Sequence, residues 1–347
     1  MTELKSQLSR NFGLDVLRVV SILLVLIQHA NILPISIQKI KIGAFGVHTF
    51  FVLSGYLIGE ILIKELSMEN SLKSIKKFII RRWFRIVPLY YLILTIKFLT
   101  DPSIGINIIN FFLFIQIFTR DIKYYNLTYS LVIEEWFYLL SPILISIYLF
   151  LSKSKNFLFL VFVFVTTTIC EILQIFNNYS KFISVISKFQ YIFYGVIIAL
   201  LSVKYQYIFS KMSKSILINL FGFILILIAI FLIVKVKNDD PKIDYFPSYI
   251  KTIFCFGVSI LIPCIYNFHS PLIKRLYIED AISNLSKWTY AIYLAHPFVF
   301  KIVLIKSESI FIYFLSLLLA FLSTVVLAGL LYKFYERPLM NLRDKFT

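Results

Sequence analysis

The sequence is poor in charge, in cysteine and in long polar stretches, and each scarcity excludes a class of protein. Charged residues make up 15% of the 347 positions, whereas soluble domains carry about 25%. The three cysteines all lie in apolar segments and provide neither a disulfide framework nor a zinc-binding spacing. No polar stretch is long enough to fold into a soluble domain. The net charge of +17 comes without a nucleic-acid-binding motif, so we expect no nucleic-acid partner.

Apolar residues dominate what is present, since 59% of the chain is hydrophobic and 18% is aromatic. Several segments are apolar over about 20 residues, the length that crosses a hydrocarbon core of about 30 Å. The ten candidate spans cover residues 14–33, 43–63, 83–100, 129–151, 157–176, 183–203, 216–234, 249–268, 288–305 and 310–333. A shorter apolar stretch, 104–119, is predicted as a re-entrant or interfacial helix. The sequence therefore predicts an all-α, polytopic integral membrane helix bundle of about ten transmembrane helices.

Basic residues are concentrated between the second and third spans. Seven lie there: Lys64, Lys73, Lys76, Lys77, Arg81, Arg82 and Arg85. Because loops rich in lysine and arginine stay on the cytoplasmic side, this loop and both termini are predicted to be cytoplasmic in a multi-pass cell membrane protein. We expect no cleaved signal peptide and a single transmembrane domain, 1–347, without an appended soluble domain.

The first span carries three ionisable residues, Asp15, Arg18 and His29, although charged groups are costly in hydrocarbon. Eleven positions separate Arg18 from His29, so a helix places them on one face about 16 Å apart. Asp15 lies three positions before Arg18 and can pair with it. Arg18 can equally extend to the inner interface as a topological anchor. His29, predicted deep in the span, is the candidate functional group, with Arg18 as its partner.

A pair of carboxylates marks the fourth span, in "YSLVIEEWFYLLSPI". Glu134 and Glu135 are adjacent, and Ser130 lies one helical turn before Glu134. One carboxylate is predicted to face the bundle at the depth of His29, where the two side chains would form an acid–base pair. The alternative is that both carboxylates are surface charges at the outer interface.

The segment "KSIKKFIIRRWFRIVPLYY" is predicted to form an amphipathic basic helix that enters the third span. Arg81, Arg82 and Arg85 lie within about one turn and present the planar, bidentate donors that suit phosphate groups. The competing interpretation is that the helix anchors the protein to anionic lipid headgroups.

Two further histidines and a glycine pair complete the candidate positions. His48 opens the second span and is expected near the same outer cavity as His29. His296 precedes Pro297 in the ninth span, where a local helix break is predicted. Gly55 and Gly59 have the GxxxG spacing that indicates close helix packing.

These motifs, in this order, resemble the integral membrane acyltransferase family 3. The resemblance rests on Arg18 and His29 at R-x10-H spacing, "FFVLSGYLIGEIL", "RRWFRIVPLYY", "SLVIEEWFYLLSPI", "TYAIYLAHP" and "YERPL", and it covers about residues 10–345. The family transfers acetyl or other short acyl groups, commonly from cytoplasmic acyl-CoA to glycans and some other acceptors on the other side of the membrane.

The resemblance implies roles for individual residues. His29 matches the family's essential histidine and Arg18 its basic partner. Glu134 and Ser130 match the Ser-x-x-x-Glu motif. The arginines at positions 82 and 85 match those tied to the acyl-CoA donor.

The combined expectation is an O-acyltransferase that uses acetyl-CoA, or another acyl-CoA, and modifies an extracytoplasmic glycan or lipid-linked saccharide. His29 is expected to act as general base or covalent relay. No metal is expected. Membrane lipid and the glycan acceptor are the expected partners, with polysaccharide-synthesis proteins acting in trans. The alternatives are a transporter or flippase for a glycan or lipid-linked sugar, and a structural partner in a polysaccharide-synthesis complex.

Overall fold

The architecture comes from a computed structural model, which describes most of the chain. The described residues are 11–30, 40–68, 71–119, 124–151, 162, 165–169, 172–173, 185–239, 247–268, 278–305, 309–343 and 345. Within them the chain forms helices, short turns and no strand, which confirms the predicted all-α class. The predicted span 157–176 lies largely outside these residues.

The described helices follow one another along the chain with short connections. They are α1 (Phe12–His29), α2 (Ile42–Met68), α3 (Ser71–Thr100), α4 (Ile108–Phe112), α5 (Thr128–Leu151), α6 (Phe189–Lys204), α7 (Gln206–Lys214), α8 (Ile216–Asp239), α9 (Ser248–Tyr266), α10 (Ile278–Val303), α11 (Ile310–Leu331) and α12 (Arg337–Arg343). A wide π-helical turn, Tyr332–Glu336, joins the last two.

Several of these helices are long and apolar enough to cross a membrane. In the part that the structure describes there are six, or seven if α6 and α7 count as one span. A polytopic helical membrane protein is therefore confirmed, whereas the count of ten spans and the cytoplasmic termini stay predictions.

Three helix boundaries differ from the predicted ones. Helix α1 ends at His29, so this histidine lies at the helix end and not deep within a span. Helix α3 begins at Ser71 and passes through Pro88, which confirms that the basic segment is one helix with the third span. Helix α10 runs unbroken through Pro297, so the break predicted there was wrong.

The stretch 104–119 forms short helical pieces instead of one helix. A 3-10 turn, Pro102–Asn107, leads into α4, and Phe114 then adopts a positive φ of 57° that ends the helical path. Aromatic side chains of α3 and α5 satisfy three carbonyl groups at this break. Tyr90 and Tyr91 hydroxyls donate to the carbonyls of Phe111 and Phe112 at 3.0 and 2.7 Å, and Trp136 Nε1 donates to that of Phe114 at 3.0 Å. Such partners permit irregular backbone at membrane depth.

The chain divides into two compact units, each assembled from separate stretches. The first unit comprises Met1–Leu53 and Tyr205–Gly329, and the second comprises Ser54–Lys204 and Leu330–Thr347. Helices α2 and α11 contribute to both.

Small residues bring helices together within each unit. In the first unit, a Cβ at Gly13 would overlap the backbone carbonyl of Ile265, so only glycine permits this approach of α1 to α9. In the second unit, Gly55 lies against the carbonyl of Ile192, and Gly59 lies against Val196 of α6. The GxxxG packing prediction is thus confirmed, and it matches how membrane helices associate without a hydrophobic driving force.

Candidate functional site

Two histidines of the first unit lie side by side. The ring centroids of His29 and His296 are 4.9 Å apart, with the ring planes at 63°. His29 is exposed at the end of α1, whereas His296 is completely buried in α10. Sequence reasoning named both residues but had no means of placing them in contact.

The hydrogen bonds of this pair assign its tautomers. His29 Nδ1 lies 2.8 Å from the carbonyl of Val25, and His296 Nδ1 lies 3.1 Å from that of Ile292. A carbonyl only accepts, so each Nδ1 must carry the proton and donate it. In the neutral rings each Nε2 then carries a lone pair. His29 Nε2 is therefore equipped to act as a base or a nucleophile.

The position of His29 is supported from outside α1. The Tyr313 hydroxyl of α11 donates to the carbonyl of Ala30, the residue after His29, at 2.9 Å. The last carbonyl groups of a helix have no partner within the helix, so an external donor there holds its end in place.

The other half of α1 carries the predicted ion pair. Arg18 Nη1 lies 3.0 Å from Asp15 Oδ1, which confirms the pairing expected from their spacing. The Ser286 hydroxyl of α10 donates to the same oxygen at 2.7 Å. Helices α1 and α10 therefore run in the same direction and meet twice, at Asp15–Ser286 and at His29–His296. Ser286 was not predicted; its only signal is a small polar residue ten positions before His296.

A second polar cluster lies in the second unit, around Glu134. The Ser54 hydroxyl of α2 donates to Glu134 Oε1 at 3.2 Å, and the Tyr138 hydroxyl donates to Glu134 Oε2 at 2.8 Å. Both carboxylate oxygens of Glu134 therefore have a hydroxyl donor. We call Ser54, Arg82, Glu134 and Tyr138 the carboxylate cluster.

The neighbouring glutamate is even less accessible. Glu135 is 3% exposed and Glu134 is half-buried, so neither side chain is an exposed surface charge. The prediction that a carboxylate faces the protein interior is confirmed for both. Glu135 Oε1 has no hydrogen-bond partner among the described residues.

The predicted arginines have three different surroundings. The Arg82 guanidinium carbon lies 5.7 Å from the ring centroid of Tyr138, and its charge interacts with those of Glu134 and Glu135. Arg81 Nη1 pairs with Glu65 at 3.3 Å. Arg85 is exposed. A common phosphate clamp of all three stays a prediction.

Two predicted supporting residues make local contacts. The Ser130 hydroxyl donates to the carbonyl of Leu127 at 3.4 Å, so the serine that contacts Glu134 is Ser54 and not Ser130. His48 Nδ1 lies 2.7 Å from the carbonyl of Ala44 in its own helix.

Sequence reasoning assigned no function to two members of the carboxylate cluster, Ser54 and Tyr138. Ser54 was considered only as a nucleophile, because 80 positions separate it from Glu134. Tyr138 lies four positions after Glu134, a spacing that could have identified it. His29 belongs to the first unit and Glu134 to the second, and their predicted acid–base pairing stays a prediction.

No metal centre is formed by the described side chains, among which no group of three or more histidine, cysteine, aspartate or glutamate residues could hold an ion.

Comparison with known proteins gives a consistent picture. The model of acyltransferase family 3, described as an acyltransferase domain, matches residues 11–333. The chain is 27% identical to "Putative O-acetyltransferase SACOL0978" of Staphylococcus aureus strain COL, over 94% of this chain and 56% of that protein. It is 25% identical to "O-acetyltransferase OatA" of Staphylococcus aureus strain NCTC 8325 / PS 47, over 94% of this chain and 57% of that protein. The chain thus spans little more than half the length of these relatives. No solved structure matches it.

Proposed function

Because the chain belongs to acyltransferase family 3, we propose that it is a membrane O-acyltransferase. It moves an acyl group, acetyl by default, from cytoplasmic acyl-CoA to a hydroxyl of an extracytoplasmic glycan or lipid-linked saccharide. The names of the relatives support O-acetyl transfer. The cell membrane is the proposed location, and membrane lipid and proteins of polysaccharide synthesis are the proposed partners.

The observation that carries this proposal is the state of His29. Its Nδ1 donates to the carbonyl of Val25, so its Nε2 presents a lone pair on an exposed ring. The buried ring of His296 packs against it and restricts its orientation. A histidine that is fixed at one nitrogen and accessible at the other suits both general-base and nucleophilic catalysis.

Two routes use this lone pair. In the first, His29 Nε2 removes the proton of the acceptor hydroxyl while the hydroxyl oxygen attacks the thioester carbon and the CoA thiolate leaves. In the second, Nε2 attacks the thioester carbon, the C–S bond breaks, and the acceptor hydroxyl then displaces the imidazole from the acyl group. In both routes the products are an acyl ester and CoA with its thiol protonated.

Other charged residues have proposed roles in binding and in charge balance. Arg18, held by Asp15 at 3.0 Å, contacts the arm of the donor. Glu134 is the second catalytic residue, with Glu135 and His48 in support. Of the arginines in the basic segment of α3, Arg85 is the exposed one and is available to the phosphates of CoA.

The test uses purified protein in detergent, given radiolabelled acetyl-CoA and an acceptor glycan. Wild type should release CoA, and His29→Ala should abolish release while still accumulating in the membrane. His269→Ala is the matched histidine control and should retain release. Full activity of His29→Ala would disprove the assigned role of His29.

The transporter alternative has lost the feature that best supported it. Helix α10 passes through Pro297 without a break, and the broken stretch Pro102–Phe118 has aromatic donors on its carbonyl groups. A wild-type protein that releases no CoA with any acyl-CoA, but moves a labelled glycan across vesicles, would favour that alternative. A structural partner would tolerate loss of His29 and Glu134.

A further inference from the structure

We infer that Ser54 and Tyr138 are positioning residues that fix the carboxylate of Glu134, and that Arg82 serves this cluster and not the phosphates of CoA, roles in catalysis that rest on the proposed function. The cluster itself rests on contacts within the second unit alone.

The two hydroxyl donors fix the carboxylate because they come from different helices. Tyr138 lies one turn after Glu134 on α5 and donates to Oε2 at 2.8 Å. Ser54 comes from α2 and donates to Oε1 at 3.2 Å. Rotation about the last side-chain bond of Glu134 would break both bonds together, so the carboxylate has one preferred plane. Hydroxyl groups that donate to a carboxylate form stronger bonds than neutral pairs do.

Tyr138 also links this carboxylate to a positive charge. Its hydroxyl serves Glu134, while the guanidinium of Arg82 lies 5.7 Å from its ring centroid. A cation over an aromatic face is attracted by the ring, most strongly where water is excluded. Tyr138 is 5% exposed, which meets that condition.

Charge balance explains why an arginine is needed at this position. Two adjacent glutamates that are not exposed would repel each other, and uncompensated charges inside a membrane protein are costly. The charge of Arg82 interacts with both Glu134 and Glu135. Arg85, three positions along the same helix, is exposed and is the group open to a soluble ligand. The two arginines therefore have separate tasks.

The geometry can be tested without any catalytic activity. Infrared spectra of the purified protein should contain a band of the Glu134 carboxyl group, assigned by its loss in Glu134→Gln, or in Glu134→Asp if the first variant does not accumulate. Tyr138→Phe and Ser54→Ala should each shift that band. Tyr207→Phe, at a tyrosine that is 79% exposed on α7, is the matched control and should not shift it. A band that is unchanged in both cluster variants would overturn the inference.

The catalytic roles are tested by separating kcat from KM for acetyl-CoA. Tyr138→Phe should lower kcat roughly ten- to a hundred-fold, the range for loss of one hydrogen bond to a charged group, with KM unchanged. Arg82→Gln should also act on kcat, whereas Arg85→Gln should raise KM. Tyr138→Phe with wild-type kcat, or Arg82→Gln that raises only KM, would contradict the assigned roles. A wild-type protein without acyl transfer would refute the proposed function, while the infrared result would still decide the geometry of the cluster.

Discussion

Removal of the Ser286 hydroxyl should destabilise the first unit, because this hydroxyl is one of two donors to a buried carboxylate. Ser286 Oγ lies 2.7 Å from Asp15 Oδ1, and Arg18 Nη1 lies 3.0 Å from the same oxygen. Asp15 is 2% exposed, so water does not replace a lost donor. A hydrogen bond to a charged group contributes about 1.5–3 kcal/mol, and Ser286→Ala should lower the free energy of unfolding by that amount.

Removal of Asp15 should cost more, since it leaves a positive charge without its partner. Breaking a buried ion pair costs about 3–5 kcal/mol. The Arg18 side chain is 20% exposed and that of Asp15 is 3% exposed, so Arg18 recovers part of its hydration. We therefore expect Asp15→Ala to cost roughly 2–4 kcal/mol. Because the two residues share one bond, the double variant should cost less than the sum of the single variants.

The assay is thermal unfolding of detergent-solubilised protein, with a serine of equal burial as control. Ser259 is also 2% exposed, but its hydroxyl donates to the carbonyl of Phe256 in its own helix at 2.7 Å. Such a local bond adds little to helix stability, so Ser259→Ala should change the melting temperature less than Ser286→Ala does. Equal shifts for the two serine variants, or strict additivity of Asp15→Ala and Ser286→Ala, would refute the reasoning.

Three further perturbations follow from the contacts. Gly55→Ala should lower the free energy of unfolding by roughly 1–3 kcal/mol, because a backbone carbonyl of α6 cannot yield to the new methyl group; an unchanged melting curve would count against it. Trp136→Phe leaves the carbonyl of Phe114 without its 3.0 Å donor and should cost about 1–3 kcal/mol in the same assay. The hydrogen bond from Lys97 lowers the pKa of Asp101 to about 2, so stabilisation by this pair is present above the ordinary value of 3.8 and is lost as the pH falls towards 2. A carboxyl carbon titration by NMR with its midpoint near 3.8 would contradict this.

Several features could be predicted from local sequence because their cause is local. Long apolar segments must be helical in a membrane, since lipid offers no partner to backbone N–H and C=O groups. Asp15 and Arg18 pair because three positions along a helix bring side chains together. Gly55 and Gly59 face α6 because four positions return to the same side of a helix.

The helix boundaries were less predictable, because hydropathy does not record where a helix ends or bends. Helix α1 ends at His29, four positions before the predicted limit, where Tyr313 of another helix accommodates the end. Pro297 removes one backbone donor, yet α10 continues through it. Both outcomes depend on neighbouring helices.

The sequence by itself determined the helical membrane architecture, the family to which it points, and the residues His29 and Glu134 as candidates. Only the tertiary structure decided their partners. Ser286 reaches Asp15 across 271 positions, and Ser54 reaches Glu134 across 80. Helical periodicity shows which side of a helix a residue occupies, but which other helix packs against that side depends on the packing of all helices together, and that arrangement is not encoded in any one segment.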